Sequence, residues 1–145
     1  MNAKSATTQT FMPLMRELVR AYQAFADFDA LGHRGVGLTS PQADVIFTLG
    51  NTDGMTFKEI GERTLITKGT LTGVIDRLEA RGLVKRIAHA QDRRCTRVTL
   101  TRAGEKLFEK HFPAHVSYLK ARFDRLTATE RRNALEVLTR LRSLF

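Results

Sequence analysis

The sequence predicts a mainly α-helical fold with one small β-wing, and its middle third carries the clearest signals. Leu71, Val74, Ile75 and Leu78 recur at i, i+3, i+4 and i+7, which places an apolar stripe on one face of a helix. Thr67 stands at the start of that helix and is a candidate N-cap. The helix face opposite the apolar stripe carries small and polar side chains. We therefore predict an amphipathic helix with one buried face and one free face.

The segments on either side complete a supersecondary motif. Thr56 and Glu59 have the spacing of a capping box, which opens a short helix that runs out near Arg63. Gly82 ends the following helix, because the residue just past a helix end often adopts a left-handed conformation. The period then changes to alternation, with strands at 83–88 and 95–100. Two short helices followed by a hairpin predict a winged helix-turn-helix.

Apolar helices are also predicted outside this motif. One stripe runs from Phe11 to Ala26 and ends before a glycine-rich loop, 32–37, which we expect to be a flexible connector. Pro41 starts a helix that stops near Gly50. A long helix from Arg102 is expected to kink at Pro113, and a capping box at Thr127 to Glu130 opens the last helix.

The helices outside the motif carry more apolar side chains than the core of one winged helix-turn-helix can bury. We therefore expect these helices to pack against those of a second chain. The alternative is a larger monomeric core. The predicted organisation is one compact unit in four parts: a disordered tail (1–10), an N-terminal dimerisation helix and loop (11–37), the winged helix-turn-helix (38–101) and C-terminal dimerisation helices (102–145).

The charge of the chain favours nucleic acid as a partner. The protein has 24 Lys and Arg against 15 Asp and Glu, a formal net charge of +9. Residues 58–97 alone carry ten basic against five acidic side chains. A basic surface can simply keep a protein soluble, but here the excess coincides with the helix-turn-helix and wing. We therefore expect phosphate neutralisation to supply most of the affinity for double-stranded DNA.

The predicted DNA-binding residues lie on the free face of the recognition helix and along the wing. They are Thr67, Lys68, Gly69, Thr70, Thr72, Gly73, Arg77, Arg86, Arg93, Arg94 and Arg97. Lys68 is expected to hold phosphate and Thr72 to touch base edges. Arg94 is expected to enter an A·T-rich minor groove, and Asp92 to accept hydrogen bonds from an arginine and so fix the shape of the wing.

A family resemblance rests on these residues. The run Leu38-Thr39-Ser40-Pro41-Gln42, the helix pair, and the pattern of Asp92, Arg94, Val98, Leu100, Thr101 and Gly104 resemble the MarR family of bacterial transcriptional regulators. The resemblance spans about residues 38–107. It implies a homodimer on a short pseudo-palindromic operator, with release by a small, often aromatic, molecule or by oxidation. Gly73 departs from the pattern, because many relatives carry a long polar side chain there.

Three observations bear on regulation. We expect Phe25, Phe28, Phe47, His111 and His115 to line a cavity for a small aromatic effector, since histidines beside aromatic rings suit a phenol or carboxylate. Cys95 lies among Arg93, Arg94 and Arg97, which favours a reactive thiolate, but a small strand residue is the plainer interpretation. His111 and His115 have a chelating spacing. Because no cysteine or acidic cluster completes that pair, we predict no metal site and no cofactor.

The remaining function classes fit less well. The chain shows no nucleophile with a base, no paired carboxylates and no phosphate-binding glycine loop, so we do not predict an enzyme. An architectural DNA-binding protein without sequence preference would explain the charge but not the outer helices. No apolar run approaches the ~20 residues of a membrane helix, and the single cysteine fits a reducing cytoplasm.

Overall fold

The computed structural model describes residues 1–88 and 96–145 and shows a helical protein with a small antiparallel sheet. The elements, in chain order, are α1 (Ala3–Ala6), α2 (Met12–His33), a 3₁₀ helix (Arg34–Val36), α3 (Ser40–Leu49), β1 (Met55–Thr56), α4 (Phe57–Arg63), α5 (Lys68–Ala80), β2 (Val84–Ala88), β3 (Thr96–Leu100), α6 (Arg102–Phe123) and α7 (Ala128–Arg142). The predicted fold class, a mainly α-helical protein with a winged helix-turn-helix, is confirmed.

Side chains at the helix starts explain most of the boundaries. Thr56 and Thr127 accept hydrogen bonds from Glu59 and Glu130 backbone N–H groups, and both predicted capping boxes are complete. A further capping box at Thr39 opens α3 one residue earlier than Pro41 predicted. The Thr67 side chain makes no capping bond to the backbone of α5. Its hydroxyl donates instead to the Thr70 hydroxyl at 3.1 Å.

The sheet joins the hairpin to a short strand that the sequence did not reveal. β3 lies between β1 and β2, with Met55 opposite Val98 and Val84 opposite Leu100. Val98 and Leu100 are buried, as the alternating pattern predicted. Gly54 precedes β1 with a φ of +97°, and a Cβ there would lie 2.8 Å from the Val98 carbonyl oxygen. Glycine is therefore required where this strand begins.

The hydrophobic core lies between α3, α4, α5 and the sheet. The predicted stripe of α5 is buried there in full. Phe108 of α6 joins this core and packs so closely on Gly50 that a Cβ at Gly50 would overlap the Phe108 ring. Gly82, with a φ of +69°, ends α5 as predicted. The core therefore fixes which face of α5 remains free.

The segment 32–37, expected to be a flexible connector, is mostly helical. α2 continues through Gly32 to His33, and the 3₁₀ helix follows directly. Arg81, at the end of α5, donates to the Gly37 carbonyl at 2.8 Å and the Val36 carbonyl at 3.3 Å. Packing against a neighbouring element thus orders a segment whose composition alone suggests a loop.

The outer helices leave much apolar surface uncovered in the single chain. α7 has no buried side chain, and α2 buries His33 alone. α6 continues through Pro113 as one helix. The first ten residues, predicted as a disordered tail, include the one-turn helix α1. Every helix in residues 1–88 and 96–145 is too short or too polar to span a bilayer.

Candidate nucleic-acid interface and histidine cluster

The free face of α5 presents most of the predicted DNA-binding residues to solvent. The exposed positions are Thr67, Lys68, Gly69, Thr70, Thr72 and Arg77, and Gly73 is half-buried. A Cβ added at Gly69 or Gly73 would meet no atom within 4 Å. This face is therefore open and without bulky apolar groups, which suits entry into a major groove.

The turn before α5 adds a residue that the sequence analysis missed. Leu65 is 97% exposed, although it is a large apolar side chain. Its backbone N–H donates to Asp44 Oδ2 at 3.2 Å, which anchors the turn to α3. Burial raises the pKa of Asp44, against the lowering effect of that hydrogen bond. Leu65 is a candidate contact residue because its apolar side chain is fully exposed, and only the tertiary structure shows that exposure.

Two predicted DNA-binding arginines make contacts within the protein. Arg86 pairs with Asp76 and with Glu79, whose Oε2 lies 3.6 Å from Arg86 Nε, and its guanidinium lies 5.3 Å from the Phe57 ring centre. Arg97 donates to the Gly54 carbonyl. Arg86 therefore holds β2 against α5, and Arg97 holds β3 against the turn before β1. The predicted roles of Asp92, Arg93, Arg94 and Cys95 fall outside the described residues.

The five residues predicted to line an effector cavity fall into three groups. Phe47 lies against His111 and His115, with ring centres 5.7 and 5.8 Å away. Phe28 stacks on Tyr118 at 4.2 Å, and Phe25 approaches Phe123 at 6.5 Å. Two surface depressions, of about 460 and 320 Å³, lie along residues 7–20 and 137–144 and are lined by none of the five.

Two residues that the sequence analysis left out join His111 and His115 in a buried cluster. His33 Nδ1 lies 2.9 Å from His111 Nε2, within hydrogen-bond range. Asp29 Oδ1 lies 2.9 Å from His115 Nε2, and Asp29 Oδ2 lies 3.4 Å from His33 Nε2. The Ser40 hydroxyl also donates to Asp29. The histidine cluster (Asp29, His33, His111 and His115) thus connects α2 with α6, and Asp29 also reaches α3.

Burial controls the charge of this cluster. The side chains of His33, His111 and His115 are 2%, 7% and 4% exposed. Burial lowers the pKa of His33 and of His111, and the neighbouring His115 adds to both effects. Burial acts to raise the pKa of Asp29, but hydrogen bonds from Ser40 and His115 outweigh it and leave the pKa lowered. The His33 and His111 imidazoles therefore favour the neutral form, while the Asp29 carboxyl favours the ionised form.

A glycine permits the close packing of the cluster. A Cβ at Gly32 would lie 2.7 Å from His115 Nδ1 and 2.8 Å from the Tyr118 ring. His115 Nδ1 is buried and has no hydrogen-bond partner among the described residues. The prediction of no metal site rested on the missing companions of His111 and His115. His33 lies beside this pair because α2 packs across α6, so that one nitrogen from each of the three histidines lies within 4.8 Å of the others.

The fold and the free face of α5 define a winged helix-turn-helix protein. A family model described as "MarR family" matches residues 36–94. The chain is 31% identical to the transcriptional regulator HosA of Escherichia coli, over 75% of this chain and 81% of HosA. It is 28% identical to the transcriptional regulator MhqR of Bacillus subtilis, over 92% of each.

A solved structure supports the same assignment. BpsR of Bordetella bronchiseptica, whose DNA binding is regulated by 6-hydroxynicotinic acid, superposes with a TM-score of 0.80 at 28% identity, covering 92% of this chain and 95% of BpsR. The chain belongs to the MarR family, and HosA and MhqR are transcriptional regulators.

Proposed function

We propose that this protein is a sequence-specific transcriptional repressor that binds a pseudo-palindromic operator as a homodimer in the cytoplasm. The free face of α5 carries this proposal: four core side chains hold the helix in place, while its polar N-terminal turns point away from the core. A major groove admits a helix presented in this way. The similarity to BpsR, a regulator of known DNA binding, supports it.

The contacts divide into two kinds. We assign Lys68 and Arg77 to phosphates, since both are exposed cations on the free face. We assign Thr70 and Thr72 to base edges, and Leu65 to a thymine methyl, because an exposed apolar side chain beside the groove suits that group. Arg93 and Arg94 remain predicted wing contacts, on the evidence of the sequence.

The uncovered outer helices support the homodimer. Leu135, Val137 and Leu138 of α7 are more than half exposed, as is Phe145 beyond it. Phe11, Leu14 and Tyr22 of the N-terminal region are similarly exposed. A second copy that covers these faces would remove them from water. It would also place two copies of α5 about 34 Å apart, one turn of DNA. Residues 11–37 and 102–145 are thus the proposed dimerisation parts.

We further propose control by a small aromatic acid. BpsR responds to 6-hydroxynicotinic acid, and here Phe47 and the histidines of α6 lie together between the DNA-binding region and the outer helices. A ligand releases DNA only if it prefers a spacing of the two α5 helices that does not match the operator. Phe25 and Phe28 belong to the outer part of the same α2–α6 interface.

Operator selection from a random duplex pool tests the proposal directly. The full-length chain should enrich one inverted repeat and bind it as a dimer, about a thousandfold or more tighter than random DNA. Aromatic acids are then titrated against the complex. Enrichment of no sequence would instead support an architectural protein, and a selected site bound by one chain would contradict the homodimer.

A further inference from the structure

We propose that Arg81 is a positioning residue for operator recognition, because it ties the end of α5 to the segment that follows α2. Arg81 lies directly after α5, at the end opposite the polar N-terminal turns. Its Nη1 donates to the Gly37 carbonyl at 2.8 Å, and its Nη2 donates to the Val36 carbonyl at 3.3 Å. The inference rests on the proposed binding of an operator by α5, and it gives Arg81 a role that involves no contact with DNA.

The segment that accepts these hydrogen bonds is itself held at both ends. His33, at the end of α2, is buried, and its Nδ1 lies 2.9 Å from His111 Nε2 on α6. Leu38 is buried in the core, and its N–H donates to the His33 carbonyl at 3.3 Å. Gly37 closes the 3₁₀ helix with a φ of +65°, a left-handed conformation that glycine adopts without strain. Arg81 therefore holds α5 against a segment whose position is fixed.

A guanidinium group suits this contact better than an ammonium group does. Two nitrogens of its planar fork reach two consecutive carbonyls, so the hydrogen bonds fix the orientation of the Arg81 side chain as well as its reach. A lysine at this position would keep the charge but would offer a single nitrogen in place of the two that now reach separate carbonyls. Charge and geometry can therefore be separated by mutation.

The contact at one end of α5 affects the position of the other end. The 13 residues of α5 span about 20 Å at about 1.5 Å per residue. The four core side chains fix which face of the helix is buried, and Arg81 then limits how far the helix can tilt about that buried face. A change of tilt would displace the N-terminal turns from the bases of a bound operator.

Base contacts and phosphate contacts differ in how well they tolerate such a displacement. A hydrogen bond to a base edge requires a donor–acceptor distance of about 2.7–3.2 Å and a good angle. A lysine on a flexible stem, such as the exposed Lys68, can follow a phosphate that has moved. Loss of the Arg81 contact should therefore reduce sequence specificity more than it reduces affinity for DNA in general.

Binding of Arg81→Met and Arg81→Lys to the selected operator and to random duplex DNA tests the inference. Both variants should lose about tenfold or more in the ratio of operator affinity to random-duplex affinity, because base contacts weaken while phosphate contacts remain. The slope of log affinity against log salt should equal that of the unchanged protein. Arg77→Met is the matched comparison on the same helix. It removes a cation assigned to phosphate and should lower that slope by about two per dimer.

Thermal unfolding identifies a temperature at which every variant is folded, and binding is measured there. A role of Arg81 in stability alone would leave the affinity ratio unchanged at that temperature and would overturn the proposal. A ratio restored by Arg81→Lys, or a salt slope lowered by Arg81→Met, would show that the charge of Arg81 acts on phosphate and would also overturn it.

Amide hydrogen exchange tests the contact in the absence of DNA. The Gly37 and Leu38 N–H groups should exchange faster in Arg81→Met, whereas the amide of Val45, in the middle of the buried helix α3, should be unaffected. Equal protection of Gly37 and Leu38 in the variant and the unchanged protein would refute the anchoring role. An unchanged protein that prefers no operator would refute the proposed function, whereas a preference that Arg81→Met retains in full would refute this inference alone.

Discussion

Two glycines show how the presence or absence of a single side chain controls the surface of α5 and the packing of α2 against α6. Gly73 lies on the free face in the middle of the helix, and a Cβ there would meet no protein atom within 4 Å. Gly32 is the opposite case, since a Cβ there would overlap His115 and Tyr118. Gly73 therefore keeps the surface of α5 open, whereas Gly32 lets α2 pack closely against α6.

We expect Gly73→Ala to raise the free energy of unfolding by up to about 1 kcal/mol, because alanine is the better helix former and the site has room. Operator affinity should fall, since the added methyl group prevents close approach to the groove. Denaturant unfolding and operator titration measure both effects. Gly32→Ala is the matched control and should destabilise the protein. Destabilisation by Gly73→Ala would contradict this account of the free face.

Asp44 makes stability depend on pH. Its pKa is raised by burial in the folded protein, from about 3.9 in an unfolded chain. The folded state therefore holds the proton more tightly, and stability falls as pH rises through the folded pKa. Asp44→Asn keeps an oxygen for the Leu65 N–H and removes the charge.

We expect Asp44→Asn to be more stable than the unchanged protein at pH 7 and equally stable near pH 3. Thermal unfolding across that range measures the difference. Asp53→Asn, which removes a carboxylate from an exposed position, serves as the control. A stability gain for Asp44→Asn that is the same at both pH values would rule out the titration of Asp44 as its cause.

At the scale of elements, α5 is held on three sides and free on the fourth. Its apolar stripe enters the core, Arg86 of β2 pairs with its acidic side chains, and Arg81 joins its end to the segment after α2. Hydrogen bonds and ion pairs thus fix the helix relative to the elements around it. A rigid helix can place its first turns against bases without a further ordering cost.

Mutations should distinguish the phosphate contacts proposed for α5 from its base contacts. Lys68→Ala should weaken binding to all sequences about equally and lower the slope of log affinity against log salt by about two per dimer, because each chain loses one phosphate contact. Thr72→Ala should relax preference at one operator position while leaving that slope unchanged. Binding to an operator series at several salt concentrations measures both.

Lys110→Ala removes the same charge from α6 and should change neither property strongly. Equal loss of specificity from Lys68→Ala and Thr72→Ala would show that the assignment of phosphate and base contacts is wrong.

On the scale of the whole molecule, apolar exposure is concentrated in the outer helices. α7 buries no side chain in the single chain, yet Leu135 and Leu138 recur on one face. We expect Leu135→Lys and Leu138→Lys each to cost the dimer about 2 kcal/mol, or about 30-fold in its dissociation constant. Sedimentation at several protein concentrations measures this.

Glu136→Lys changes an exposed polar residue of the same helix and should leave the dimer intact. Operator binding by the two leucine variants should depend more steeply on protein concentration. A leucine variant that sediments as the unchanged dimer would exclude this face of α7 from the interface.

Local signals in the sequence determined the long helices and the hairpin of this protein. The periodicity of Leu71, Val74, Ile75 and Leu78 and the capping boxes at Thr56 and Thr127 predicted where helices lie, and Val98 and Leu100 predicted the buried face of the hairpin. These patterns act over one or two turns or along one strand, where neighbours in sequence are also neighbours in space. The free face of α5 could be inferred for the same reason.

Only the tertiary structure brought together residues from different elements. His33 and His111 are 78 positions apart and meet because α2 packs across α6, while β1 exists because the segment before α4 reaches β3. Arg81 reaches the segment after α2 across 44 positions, and Arg97 reaches Gly54 across 43. Spacing along a helix reports which residues share its face, but the partner opposite that face is set by packing between elements. The histidine pair was therefore visible in the sequence, whereas the histidine cluster was not.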